Sequence, residues 1–219
     1  MEPGRGVFVT GTGTEVGKSV TAAVIAATAR REGSRVAVYK PAVSGLDEGG
    51  EADHELLARA SGTSQSADEI APYRFGPPVS PHLAADLDGR VIDPAVLRTT
   101  AAAAGGAGDV LVCEGVGGLL VPLTPTYLVR DLARELGYPV VVVAAPGLGT
   151  INHTLLTIEA ARGAGLDVRV VVLTPWPAAP GDLELSNRET IAAIGRVEVL
   201  TLEKIDLSEP GAWPDLPLA

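Results

Sequence analysis

Residues 7–31 read VFVTGTGTEVGKSVTAAVIAATARR: a short β-branched run, a glycine-rich turn, then an alanine- and valine-rich segment ending in Arg30 and Arg31. Strand, glycine turn and helix in that order form a phosphate-binding layout. The glycines let backbone N–H groups converge on phosphate oxygens, and the helix start adds partial positive charge. The Gly17-Lys18-Ser19 ending offers an ammonium for the β/γ-phosphates and a hydroxyl for Mg²⁺. The strict pattern G-x-x-x-x-G-K-[ST] fails, because Thr12 stands where its first glycine belongs, and a match begun at Gly11 is one residue too long. A dinucleotide fingerprint would need glycine at Val16 and an acidic residue closing the next strand, where Lys40 stands instead. A glycine turn that merely closes a βα unit is the bland alternative. Against it, 14 of the 17 basic residues are Arg, and the only lysines are Lys18, Lys40 and Lys204. A lysine is therefore unusual in this chain, and two of the three fall in motif positions.

Further β-branched runs at 35–39, 110–113, 139–145, 168–174 and 197–200 join the one at 7–10. The run at 141–145, VVVVA, is apolar on both faces, as a buried parallel strand requires. Helical stretches at 18–31, 53–60, 94–104, 128–136, 152–164 and 184–194 alternate with them. That alternation predicts an α/β fold: a doubly wound, mostly parallel sheet of the P-loop NTPase kind with helices on both faces. The stretch 41–93, with prolines at 72, 77, 78 and 81, reads as long and loop-rich, and the tail from about 205 as extended or frayed. No internal repeat or low-complexity linker divides the chain, so the expectation is one domain over 1–219.

With 219 residues, 46% hydrophobic but only 4% aromatic, the core must be built from Ala, Val, Leu and Ile. A net charge of −10 and a pI near 4.7 argue against a nucleic-acid or anionic-membrane partner. No apolar run reaches the ~18–20 residues of a membrane span. The first residues lead almost at once into GVFVT, without a signal-peptide layout. Cys113 is the only cysteine, which excludes an internal disulfide and a cysteine-based zinc cluster. A cytoplasmic protein is expected.

Open α/β sheets bind ligands beyond the carboxyl ends of their strands. Lys40 closes the second strand and is expected to face the same crevice as Lys18, unless it is simply a solvated strand end. Glu114 follows the run 110–113 and precedes Gly115-Val116-Gly117-Gly118. A carboxylate there is placed to hold Mg²⁺, directly or through water; otherwise it is a loop carboxylate. Asp53, before His54-Glu55-Leu56-Leu57, reads on local sequence as a helix N-cap. Leu148–Thr154, LGTINHT, opens a helix whose free N–H groups suit a carboxylate or phosphate. His82 and His153 have no evident catalytic partner.

Together these segments resemble the dethiobiotin synthetase family. The resemblance runs from Val7 to about Arg188 and rests on TGTGTEVGKS (10–19), YKPAVSG (39–45), SPHLAA (80–85), CEGVGGLLVPL (113–123), LGTINHTLLTIEA (148–160) and the PW…PG stretch at 175–181. The extra residue of the loop belongs to that family's own version of it. The resemblance implies an ATP- and Mg²⁺-dependent cyclo-ligase, which carboxylates 7,8-diaminononanoate with CO₂ and closes the ring of dethiobiotin in biotin biosynthesis, through a carbamate and a carbamic–phosphoric anhydride. Lys18 and Lys40 would be catalytic. Gly13, Thr14, Glu15, Val16, Gly17, Lys18, Ser19, Val20, Glu114, Thr174 and Pro175 would bind the nucleotide. Ser19, Asp53 and Glu114 would hold the metal, which lifts Asp53 from cap to ligand. Lys40, Ser44, Gly117, Leu148, Gly149, Ile151 and Asn152 would bind the acceptor. The Leu148–Asn152 group would come from the neighbouring subunit of a homodimer.

At Thr174 the family usually has Asn to read the adenine edge, and Thr lacks the paired amide donor and acceptor. Relaxed base selectivity, with CTP among the triphosphates accepted, is the expectation. The alternative is a switch ATPase of the partitioning type. Its loop carries an extra early lysine, where this chain has Thr12 and its neighbours. A cobyrinate-type amidotransferase would need a glutaminase domain that 219 residues cannot hold.

Overall fold

The computed structural model describes residues 5–217; residues 1–4 and 218–219, part of the expected 1–219 domain and of its tail, lie outside the described residues. The elements are β1 (Arg5–Gly11), α1 (Lys18–Arg31), β2 (Val36–Tyr39), β3 (Ala42–Val43), α2 (Asp53–Ser61), α3 (Ala67–Ile70), β4 (Tyr73–Arg74), α4 (Pro81–Leu87), α5 (Pro94–Ala107), β5 (Val110–Gly118), β6 (Pro122–Thr124), β7 (Tyr127–Leu128), α6 (Val129–Leu136), β8 (Val140–Ala144), α7 (Thr150–Gly163), β9 (Val168–Trp176), α8 (Asp182–Gly195) and β10 (Glu198–Glu203). Single 3-10 turns stand at Leu46–Glu48 and Pro210–Ala212.

Six strands form one sheet in the order β10-β9-β8-β1-β5-β2, and every pairing in it is parallel. These are the six strands the hydrophobic runs predict. Successive side chains of a strand alternate between faces, and the core divides accordingly. Val7, Val9, Val36, Val38, Val110 and Val112 pack with α1, α2 and Ile70 of α3. Phe8, Ala37, Tyr39, Leu111 and Cys113 pack with residues of α4, α5, α6, α7 and α8. The sheet is thus wound on both sides, the α/β class expected. Because α1 and α7 cover opposite faces while β1 and β8 pair directly, a crevice opens between the ends of those two strands, the switch point at which such sheets bind ligands.

Three expectations need correction. The stretch 41–93 is less loop-rich than it reads: besides α2, the helix expected at 53–60, it holds α3, α4 and the parallel β3–β4 pair. Pro81 misleads as a breaker: it is the first residue of α4, behind Ser80, where proline's missing N–H and fixed φ suit a helix start. Glu114 is not a loop residue, because β5 continues through it to Gly118. The chain after Pro210 is not frayed. Trp213 and Leu216 are buried against α1, the Leu216 N–H donates to Thr28 Oγ1 at 3.0 Å, and Arg31 pairs with Asp215 at 2.6 Å. Arg59 of α2 stacks over the Trp213 ring at 5.9 Å and donates to the Leu207 carbonyl at 2.7 Å. No described helix is long and apolar enough to cross a membrane.

Truncating a buried Trp removes a large apolar surface and leaves a void. Trp213→Ala is therefore expected to lower stability by about 3 kcal/mol in urea unfolding. A loss within ~0.5 kcal/mol, the range of ordinary surface changes, would mean that the tail is loose in solution.

Candidate active site

Parallel register builds the centre of the site. β2 pairs Tyr39 with Cys113, so the next residues stand side by side, Lys40 just past the end of β2 and Glu114 within β5. Glu114 has no solvent exposure and Lys40 is 2% exposed. Lys40 Nζ lies 2.7 Å from Glu114 Oε1 and 2.8 Å from Asp53 Oδ2, and it donates to the Gly115 carbonyl at 3.3 Å. Ser19 Oγ, from the first turn of α1, lies 2.7 Å from Asp53 Oδ1 and 2.8 Å from Glu114 Oε1. Five positions predicted from sequence (Lys18, Ser19, Lys40, Asp53 and Glu114) thus gather at one place, Lys18 being held one loop away with its ammonium on the Gly13 carbonyl at 2.7 Å.

Asp53 is not an N-cap. Ala52 occupies that position, and Glu55 satisfies its N–H at 3.0 Å, so the Asp53 carboxylate is free to face Ser19 and Lys40. Lys40 is not a solvated strand end either.

The loop before α1 is shaped to leave donors unused. Gly17 caps the helix with φ +88° and no side chain accepts from the first turn, leaving the N–H groups of Lys18, Ser19 and Val20 without intrahelical partners. Glu15 is also left-handed, at φ +57°, which is rare outside glycine. Thr14 and Glu15 are exposed, whereas Val16 and Val20 lean on the core. Thr174 abuts the loop: a Cβ on Gly17 would stand 2.6 Å from its γ-methyl. Pro175 follows it through a cis peptide bond and is exposed.

Charge in the cluster is out of balance. Burial disfavours the Lys40 ammonium, but Glu114 and Asp53 outweigh it and hold the group above the ordinary lysine value. Burial likewise works against Asp53, and Lys40 with Ser19 overcomes it, keeping that carboxyl below the usual range. At Glu114 burial prevails over Lys40 and raises the carboxyl. Burial also lowers the Lys18 ammonium, with Glu114 opposing. Ser19 has one hydroxyl hydrogen for two carboxylates, and Glu114 Oε2 is buried with no partner at all. Acceptors exceed donors, which is the condition a cation relieves. Among the described residues no group of three or more His, Cys, Asp or Glu could hold a metal. Two carboxylates and a hydroxyl suit Mg²⁺, which keeps several waters and takes its remaining oxygens from phosphates.

The other predicted residues lie apart from this cluster. Ser44 lines a recess of about 170 Å³ that Asp53 also borders. Gly117, at φ +58°, turns the chain toward Gly118, which abuts Gly11 and Gly13 of the loop. Leu148 is 92% exposed, Gly149 caps α7 at φ +91°, and Asn152 is exposed. Ile151 packs partly on the core. Among the described residues no hydrogen bond or ion pair links Leu148–Asn152 to the lysine–carboxylate cluster. Buried Asn187 of α8 fixes the approach to that helix by donating to the carbonyls of Pro146 and Gly147 at 2.8 and 3.2 Å. His82 Nδ1 stands 3.1 Å from Ser80 Oγ, and His153 is exposed beside Gly149.

Sequence reading missed a cleft of about 400 Å³ beside Gly11–Gly13, walled by Leu119, Leu120 and Val121 on one side and by Leu156, Thr157 and Ala160 of α7 on the other. Leu120 and Leu156 are 52% and 55% exposed. Only their joint position marks them, and no single residue among them carries a chemical signal.

A family model described as an AAA domain matches residues 5–208. The chain is 46% identical over 169 residues to the ATP-dependent dethiobiotin synthetase BioD of Anaeromyxobacter dehalogenans strain 2CP-1, covering 77% of this chain and 76% of that protein. It is 42% identical over 199 residues to the protein of the same name from Anaeromyxobacter sp. strain K, covering 87% and 89%. With that of Bacillus subtilis strain 168 the identity is 36% over 197 residues, covering 90% and 85%.

Gly17→Ala tests the loop geometry. It adds left-handed strain of about 1–2 kcal/mol and a clash with the Thr174 methyl. Nucleotide affinity, read by calorimetry, is expected to fall at least tenfold, and Thr174→Ser in the same chain to restore part of it. Full affinity in the single variant would mean that the loop departs from this geometry in solution.

Proposed function

The chain belongs to the ATP-dependent dethiobiotin synthetase family, and on that premise we propose that it is a cyclo-ligase that carboxylates 7,8-diaminononanoate with CO₂ and closes the ring of dethiobiotin as ATP is cleaved to ADP and phosphate. The observation that carries the reading is the meeting of Lys40 and Ser19 on the same two carboxylates beside a glycine loop with free N–H groups.

Backbone N–H groups from Gly13 to Val20 wrap the triphosphate, and Lys18 leaves the Gly13 carbonyl for its β/γ-phosphates. Thr174 and Pro175 border the base. Ser19, Asp53 and Glu114 would hold Mg²⁺, which when bound would offset charge on the transferred phosphoryl group. A neutral amine of the acceptor adds to CO₂ and loses a proton, giving a carbamate. The carbamate is a poor electrophile, because its leaving group would be oxide. Its oxygen therefore attacks the γ-phosphorus and ADP departs, forming the carbamic–phosphoric anhydride. The second amine attacks the carbonyl carbon, phosphate leaves, and a proton is lost from nitrogen. Lys40, with Ser44 beside it, compensates the carbamate's charge. Holding the amine against the carbonyl converts an encounter into an intramolecular step. No protein nucleophile is required; the buried Cys113 thiol is pushed well up by burial and stays a thiol. An unpaired cysteine of that kind suits a cytosolic protein.

The acceptor's apolar chain fits the cleft between Leu119–Val121 and Leu156–Ala160, adjoining Gly117 and the loop. Its carboxylate tail meets the start of α7, where Leu148, Gly149, Ile151 and Asn152 offer donors. The exposure of Leu148, Leu120 and Leu156 supports a second subunit covering this edge, so each site takes its tail-binding group from the partner of a homodimer.

The central test is incubation with diamine, bicarbonate, Mg²⁺ and ATP, CTP or GTP, with mass detection of the cyclised product. Product is expected with ATP and, because Thr174 lacks an amide, with CTP also; strong preference for ATP removes the selectivity reading, and no product with any triphosphate removes the activity. Shared sites have their own signature. Lys18→Ala and Asn152→Ala, each impaired alone, should on mixed reassembly recover about a quarter of the sites, because a two-fold hybrid keeps one intact site. No recovery would place all site residues in one subunit.

A further inference from the structure

Lys40 occupies an unusual seat. Its ammonium touches Asp53 Oδ2 at 2.8 Å and Glu114 Oε1 at 2.7 Å, the same two carboxylates that flank Ser19 Oγ at 2.7 and 2.8 Å. Glu114 Oε1 is shared outright between the ammonium and the hydroxyl. Ser19, Asp53 and Glu114 are the residues that would hold the divalent ion. With both cations on the same two carboxylates, three positive charges would face two negative ones, in a pocket where Glu114 sees no solvent. We infer that Lys40 stands in for the divalent ion in the nucleotide-free protein, and that the ion's arrival drives the ammonium off the carboxylates toward the acceptor. This inference rests on the metal assignment proposed above.

Three features support the exchange. The Lys40 backbone is fixed, with its N–H donating to the Ile70 carbonyl at 2.8 Å and Pro41 following it, so only the side chain has to travel. The Asp53 side chain is 41% exposed against 3% for Lys40, and Asp53 borders the open recess that Ser44 lines, so a hydrated ion reaches the cluster from that side. Lys18 is held in the same way, on the Gly13 carbonyl of the loop it is to serve. Each lysine has a surrogate partner inside the protein. The carboxylates therefore never stand uncompensated, and Lys40 becomes free to act on a carbamate only once the metal is in place. The exchange ties the cofactor's arrival to readiness of the acceptor side.

The test is Mn²⁺ binding to the nucleotide-free protein, followed by the electron paramagnetic resonance of free Mn²⁺, which reads the ion and not turnover. Lys40→Met removes the competing charge and is expected to bind Mn²⁺ at least tenfold more tightly than the natural protein, while Lys40→Arg, which keeps a cation, stays within about threefold of it. Equal or weaker binding by Lys40→Met overturns the inference. Glu114→Gln placed in the Lys40→Met chain separates the two layers. If it leaves Mn²⁺ binding intact, the metal assignment itself fails; if it abolishes binding that Lys40→Met never strengthened, only the stand-in role fails. A measurement on the natural chain guards against a variant that does not fold. Saturating Mg²⁺ alone should speed acetylation of Lys40 by trace acetic anhydride, followed by peptide mass, at least threefold, and an unchanged or slower rate overturns the inference.

Discussion

Two carboxylates converge on one serine hydroxyl, and the architecture around them exists to make that tolerable. A buried carboxylate without hydrogen bonds or a counter-charge is costly enough to neutralise itself or unfold its surroundings. Glu114 is committed to that situation by its place in β5, between β1 and β2, where it pairs with the fully buried Val9. Asp53, by contrast, is offered from outside, at the start of a helix. The counter-charge has to come from a neighbouring strand end, and the β2–β5 register puts Lys40 there. A neutral residue at 40 would leave Glu114 buried with only a hydroxyl for a partner. The compact ammonium reaches three acceptors at once, two carboxylates and the Gly115 carbonyl.

Much of this was legible in the residues, for identifiable reasons. Short β-branched runs, apolar on both faces where the strand is buried, mark parallel strands, and all six appear in the sheet. Gly17-Lys18-Ser19 announces a helix start with free donors whether or not the strict loop pattern is met, because the chemistry depends on the end of the loop and not on its total length. Strand-end logic placed Lys40 and Glu114 in one crevice. What stayed hidden was whatever depends on tertiary packing. Asp53 reads locally as a cap, and only the position of α2 against α1 turns its carboxylate inward. The prolines of 72–81 read as breakers, although one of them begins a helix. The apolar cleft beside the loop is assembled from Leu119, Leu120 and Leu156, each of which reads alone as ordinary core.

Division of labour among the elements follows from the same constraint. Charge handling is concentrated beside the central sheet, where the β2–β5 register sets Lys40 next to Glu114 and the starts of α1 and α2 add Ser19 and Asp53. In the proposed function, recognition of an apolar chain and its carboxylate falls to the rim, formed by the start of α7 and the 118–122 turn. Asn187 ties that rim back to the core through two carbonyls, so the exposed Leu148–Asn152 segment is held in shape without being buried. A helix start whose donors point outward is of little use to its own subunit's cluster. In the proposed homodimer it would serve the cleft of the neighbouring copy.

The far ends of α1 and α2 are tied as well. Ser19 begins α1 and Asp53 begins α2, and the hydroxyl–carboxylate contact between them closes the active end of the pair. At the opposite end Arg31 of α1 grips Asp215 and the carbonyls of Pro210 and Pro214, while Arg59 of α2 holds Leu207 and lies over Trp213. Residues 207–215 thereby span the two helices at the end away from Ser19 and Asp53. A pair of helices tied only at the active end could pivot whenever a phosphate or an ion changed the charge there. Tied at both ends, it transmits that change to side chains, of which Lys40 is the one with somewhere to go. The buried tail and the mobile ammonium are two consequences of the same requirement, that charge be rearranged at the sheet edge without moving the backbone that holds it.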